Sequence, residues 1–274
     1  MRVLTDDGVE LAVEVRGSGP ALLLVHGFGG AKEDFFDHLD ELAGSHRVAT
    51  FDHRGHGASA QPDRLDAYSL ERLRVDVLCV ADALGFDRFR LLGHSMGGMV
   101  TRRIALDHPD RVEAHVFMDT SAGPLDDFDP ALLELAAQLA IDEGKDALKA
   151  ALDAAAPLTN PAYEKLLRER PGYQQFVDRK WADLSHVMWA ALARAIAFQT
   201  DDLDDLRSLR CPSLVIVGEL DLPFVPWAHA IAGAVPGARL SVIADAGHSP
   251  QFENPDAWFA ELNEFLASIP ATVG

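Results

Sequence analysis

Apolar and acidic positions alternate along Val9-Glu10-Leu11-Ala12-Val13-Glu14-Val15, a period of two that predicts a half-exposed strand at one end of a sheet. The next apolar segment, Ala21-Leu22-Leu23-Leu24-Val25, has no polar interruption before it ends in His26-Gly27. A continuous run of that length suits a strand buried on both faces. Comparable runs at 47–51, 88–92, 112–118, 213–217 and 239–243 predict further strands. Between them the period changes. Leu70, Leu73, Val77, Ala81 and Leu84 form one stripe of a helix that closes before Gly85, and a second helix over 96–106 is stopped by His108-Pro109. Short apolar strands alternating with helices predict an α/β architecture, a mostly parallel, doubly wound sheet.

The alternation stops between about 121 and 206. That stretch has no strand-like run and is rich in Ala and Leu. Asp129-Pro130 and Asn160-Pro161 are both helix starts, a capping side chain followed by proline in the first turn, and Gly144 is a stop. The expectation is therefore a core made of 1–120 and 207–274, with 121–206 inserted as an all-helical cap. Such a cap would lie over the carboxyl edge of the sheet, where folds of this kind bind ligands.

Composition narrows the function. The 274 residues are 48% hydrophobic and 24% charged, ordinary for a globular protein, and 43 Asp plus Glu against 24 Lys plus Arg give a net charge of −19. A surface that negative repels phosphate backbones and anionic lipid, so neither nucleic acid nor a membrane is expected as a partner. No run of eighteen apolar residues occurs, and the opening Met1-Arg2-Val3-Leu4-Thr5-Asp6 has no secretory pattern, which predicts a cytoplasmic protein. Cys79 and Cys211 are far apart and read as buried structural thiols. No dinucleotide, P-loop or zincin motif appears, so neither a cofactor nor a metal is implied.

Gly93-His94-Ser95-Met96-Gly97 matches G-x-S-x-G. The pattern alone is weak, but here it directly follows a predicted strand and opens a predicted helix, which puts Ser95 on a tight turn at the sheet edge. A serine hydroxyl is a poor nucleophile until a base takes its proton. Eleven histidines offer many bases. His248, in Ala246-Gly247-His248-Ser249-Pro250, is distinguished by following the last strand. A carboxylate belongs after the preceding strand, where Gly218-Glu219-Leu220-Asp221 offers two. With His26-Gly27-Phe28-Gly29 and Asp52-His53-Arg54-Gly55-His56-Gly57-Ala58-Ser59, five motifs stand in order over nearly the whole chain.

This set resembles the α/β-hydrolase fold superfamily, in particular its capped serine hydrolases. The resemblance implies Ser95 as nucleophile, His248 as base and Asp221 as the acid that orients it, with the backbone N–H groups of Phe28 and Met96 as oxyanion hole. Asp119, at the end of the strand 112–118, is the rival acid. Glu219 reads as structural, and the block 52–59 as a turn in which Asp52, Arg54 and His56 tie loops together beneath the site. His94 should point away from the nucleophile.

The expected substrate is a small, largely apolar carboxylic ester or lactone. Serine at the nucleophile position argues against epoxide hydrolases and haloalkane dehalogenases, which carry Asp there. A carbon–carbon bond hydrolase, a cofactor-free perhydrolase or haloperoxidase, and a non-catalytic receptor on the same fold are the alternatives. Among the cap aromatics Phe176, Trp181, Met188 (a soft apolar companion), Trp189 and Phe198, and the loop residues Phe28, Phe224 and Trp227, the expectation is that Trp181, Trp189 and Phe224 contact substrate. A monomer or homodimer is expected.

Overall fold

A computed structural model describes residues 1–125, 129–155 and 160–270. Among these residues lie eight strands: β1 (Arg2–Leu4), β2 (Glu10–Arg16), β3 (Ala21–Val25), β4 (Arg47–Phe51), β5 (Phe89–His94), β6 (Val112–Met118), β7 (Ser213–Gly218) and β8 (Arg239–Ile243). They form one sheet in the order β1-β2-β4-β3-β5-β6-β7-β8. The β1–β2 and β2–β4 pairs are antiparallel and all others parallel. The predicted end strand is thus second from the edge, because the three-residue β1 lies outside it and is too short to show a period.

The helices are α1 (Phe36–Ala43), α2 (Leu70–Ala83), α3 (Met96–Asp107), α4 (Pro130–Glu143), α5 (Lys145–Ala154), α6 (Pro161–Glu169), α7 (Tyr173–Ala182), α8 (His186–Ala197), α9 (Val225–Ala234), α10 (Pro250–Glu253) and α11 (Pro255–Ser268). No helix among the described residues is long and apolar enough to cross a membrane.

The uninterrupted apolar strands are explained by two cores. In β3, Leu22 and Leu24 join one apolar cluster while Leu23 and Val25 join the other. In β7, Leu214 and Ile216 divide from Val215 and Val217 in the same way. One core is closed by Leu39 and Leu42 of α1 and by Trp258, Leu262 and Leu266 of α11. The opposite core is closed by Leu73 and Val77 of α2, Val100 and Ile104 of α3, and Ile231 of α9. Helices on both faces leave the strand ends as the open edge.

Helices α4 to α8 all fall between β6 and β7. The predicted starts are observed: Asp129 accepts from Ala131 N–H at 2.8 Å and Asn160 from Tyr163 N–H at 2.9 Å. Both ends of this inserted run meet at Arg102 of α3. Its buried guanidinium donates to the Ser121 carbonyl at 2.8 Å, to Gln199 Oε1 at 3.0 Å and to Asp202 Oδ2 at 3.0 Å. Cys79 and Cys211 are free thiols that are only half-buried, not the fully buried pair expected.

Candidate active site

The parallel strands β5, β7 and β8 end at one edge, and each is followed by one of the three predicted chemical groups. Ser95 follows β5 at φ 54°, ψ −121°, a conformation that a side-chain-bearing residue adopts only under constraint. The constraint is visible. Ser95 N–H donates to the Met118 carbonyl at 2.9 Å, and its own carbonyl accepts Thr120 Oγ1–H at 2.7 Å and Gly98 N–H at 2.9 Å. The turn can close because a side chain at position 97 would come within 2.3 Å of the Val25 carbonyl oxygen, and glycine stands there.

Asp221 lies in the loop after β7 and His248 in the loop after β8. His248 Nδ1 is 2.8 Å from Asp221 Oδ2, and Nε2 is 3.0 Å from Ser95 Oγ. With Nδ1–H donating to the carboxylate, Nε2 is left to accept the serine proton, the geometry that general-base activation needs. Burial pushes the imidazole pKa down, but the neighbouring Asp221 carboxylate outweighs it and leaves the value raised. The open part of the ring, 40% of the side chain, faces the cavity.

The His248 loop is held from two sides. Glu253 of α10 accepts Gly247 N–H at 2.7 Å and Ser249 N–H at 3.0 Å, bracketing the histidine. The side chain of Asn160, the cap of α6, lies beside Glu253. His94 donates from Nε2 to the His248 carbonyl at 2.7 Å, and burial lowers its pKa to about 4, so the ring is neutral. The His94 ring lies 5.0 Å from the His248 ring, centroid to centroid, and so supports the partner of Ser95. Sequence reasoning missed Glu253; its signal was an acid in the first turn after the Ser249-Pro250 helix start.

The loop after β3 approaches the serine from the opposite side. A Cβ at Gly27 would lie 2.8 Å from Ser95 Cβ, so only glycine lets this loop come so near. Neither Phe28 N–H nor Met96 N–H has a hydrogen-bond acceptor among the described residues. The loop is locked by two buried neutral histidines: His26 accepts His53 N–H at 3.0 Å and donates to the Gly27 carbonyl, while His56 accepts Gly29 N–H at 3.2 Å. Asp52 accepts from Lys32 N–H and Ala58 N–H, and Arg54 grips Asp76 and Asp7. The block 52–59 is therefore the brace predicted for it.

Above Ser95 and His248 opens a cavity of about 820 Å³. Phe28, Trp189 and Phe224 line it together with Met99, Leu133, Leu152, Tyr163, Ile196 and Leu222. Asp221 and Glu253 are the acidic groups of the wall, and no Lys or Arg lines it among the described residues. Trp181 is a correction. It does not line the cavity but packs half-buried on α7, with Lys149 Nζ 6.0 Å over its ring. Phe198, the residue after α8, does not line the cavity either and is 64% exposed.

Residues 20–255 match the family described as alpha/beta hydrolase fold, and the chain belongs to it. It is an enzyme of that hydrolase class. Among solved structures it is similar to the enol-lactonase of Burkholderia xenovorans LB400, at 27% identity and a TM-score of 0.86, over 98% of this chain and 100% of that one. A thermophilic esterase from Thermogutta terrifontis is 28% identical with a TM-score of 0.80, over 98% of both chains. A protein of Pseudomonas savastanoi pv. phaseolicola, provisionally named the carbamate hydrolase RutD, is 29% identical over 90% of this chain and 93% of its own length.

Proposed function

We propose that this enzyme cleaves neutral, largely apolar carboxylic esters or lactones by way of an acyl-enzyme. Ser95 Oγ attacks the carbonyl carbon as His248 Nε2 takes its proton, and Asp221 stabilises the imidazolium. The N–H groups of Phe28 and Met96 receive the oxyanion. The alcohol leaves with the proton from His248, and water, deprotonated by the same ring, then attacks the acyl carbon and frees Ser95. The lactonase and esterase likenesses support the reaction class.

The observation that carries the substrate reading is the cavity wall. It is dominated by aliphatic and aromatic side chains and, among the described residues, offers no Lys or Arg to hold a carboxylate or phosphate substituent. Replacing Ser95 by Ala is expected to lower kcat/KM for p-nitrophenyl esters by several powers of ten and to abolish labelling by a fluorophosphonate. Substrates carrying a carboxylate on the acyl chain should turn over at least tenfold more slowly than neutral ones of equal length. Equal rates for Ser95→Ala and the parent would end the proposal, and preference for the anionic series would overturn its substrate half.

A further inference from the structure

Asp119 closes β6 and is 1% exposed. Its backbone sits at φ 44°, and its N–H donates to the Ile216 carbonyl at 2.9 Å. One carboxyl oxygen, Oδ1, accepts Gly218 N–H at 2.9 Å. The other, Oδ2, is buried with no hydrogen-bond partner among the described residues. The side chain lies against that of Asp221, and ligand-type atoms of Asp119, Asp221 and His248 fall within 4.8 Å of one another. The ionisable groups facing Asp119 are Asp221 after β7, His248 after β8 and Glu253 on α10.

Two carboxylates in contact inside a protein cannot both keep their charge, and a buried carboxylate oxygen without a donor is costly. Both difficulties vanish if one proton is shared, and the more deeply buried group is the one to carry it. We propose that Asp119 is a neutral carboxylic acid whose hydroxyl donates to the Asp221 carboxylate, a positioning residue that aims Asp221 at His248. Burial and the Asp221 charge both raise the Asp119 pKa well above the carboxylate range, in agreement with the geometry. The rival-acid reading of Asp119 is thereby replaced by an auxiliary one, resting on the proposed role of His248 as base.

Asparagine is a close test, since it adopts positive φ readily, accepts from Gly218 N–H and donates to Asp221 without ever ionising. Asp119→Leu removes the donor. Turnover of a short neutral ester is expected to fall tenfold or more in Asp119→Leu, in kcat with KM little changed, and Asp119→Asn should recover most of that loss. The acidic limb of kcat/KM should stay in place in Asp119→Asn. A downward move of that limb by half a unit or more would mean that Asp119 had been a negative charge, and would overturn the proposal. So would Asn proving as damaging as Leu. Infrared spectra at pH 7 separate this from the hydrolase reading and serve if Asp119→Leu does not fold. The parent should show a protonated-carboxyl C=O band that Asp119→Asn lacks, whatever the protein hydrolyses, and its absence from the parent would refute the shared proton.

Discussion

Ser95 and His248 show how a single residue's environment sets what it can do. The φ of 54° at Ser95 is held by hydrogen bonds on both sides of the turn, and such backbone strain is typically worth about 1–3 kcal/mol. Ser95→Gly should release it. The variant is expected to lose hydrolysis and to unfold at a higher temperature than Ser95→Ala, by about 1 kcal/mol or more in stability measured by denaturant titration. Equal stability of the two variants would show that the turn is unstrained. For His248, the Asp221 carboxylate raises the pKa above its ordinary 6.5 despite burial. In the proposed reaction the ring must be neutral to accept the serine proton, so activity should be lost as pH falls through the raised value. The acidic limb of kcat/KM is therefore expected above pH 6.5 and should move down in Asp221→Asn; a limb unmoved by that change would detach Asp221 from His248.

At the scale of elements, what could be read in advance were features carried by local chemistry. Strands β3 and β7 announced themselves because burial on two faces demands unbroken apolar runs, and α4 and α6 because Asp129-Pro130 and Asn160-Pro161 satisfy helix N-termini locally. The order Ser95, Asp221, His248 was legible since each follows a strand that ends at the same sheet edge. Which cap aromatics face the cavity was not legible, because the roll of a helix about its axis is decided by packing partners far away in sequence. Trp189 on α8 meets Phe28 with ring centroids 5.6 Å apart, whereas Trp181 on α7 is turned toward Lys149. Trp189→Ala should accordingly weaken octanoyl ester hydrolysis by roughly 1–3 kcal/mol while sparing the acetyl ester, whose chain is too short to reach the indole. Trp181→Ala should leave the octanoyl-to-acetyl ratio of kcat/KM unaltered. A changed ratio in Trp181→Ala, or a constant one in Trp189→Ala, would contradict this placement.

Over the whole molecule, protonation couples to folding through its interior histidines. Burial depresses the pKa of His26, His46, His53, His56, His94 and His115, to about 4 for His56 and His94 and about 3 for His115. A depressed histidine stabilises the fold above its unfolded pKa of about 6.5, and that contribution is lost as pH falls toward the folded value. Each such group as far shifted as His56 is worth on the order of 3 kcal/mol. Asp76, Asp119 and Glu253, whose carboxyls burial raises, work in the opposite sense, but the histidines outnumber them. Tm should fall steadily from pH 6.5 to 4.5, before most surface carboxylates begin to protonate. A flat Tm across that interval would show that these rings are not desolvated as described.

The lack of Lys and Arg in the cavity wall, among the described residues, also bears on what happens after the bond is cut. On the proposed reaction, a neutral ester would enter a compartment whose carboxyl groups are Asp221 and Glu253, and hydrolysis would convert it there into a carboxylate beside them, in a chain of net charge −19. Like charges in a poorly hydrated space repel, so the reaction itself turns a ligand that fits into one that is expelled. The free acid should then be a feeble inhibitor, with a Ki at least tenfold above the KM of the parent ester at pH 8. A Ki below that KM would mean that the compartment welcomes the anion.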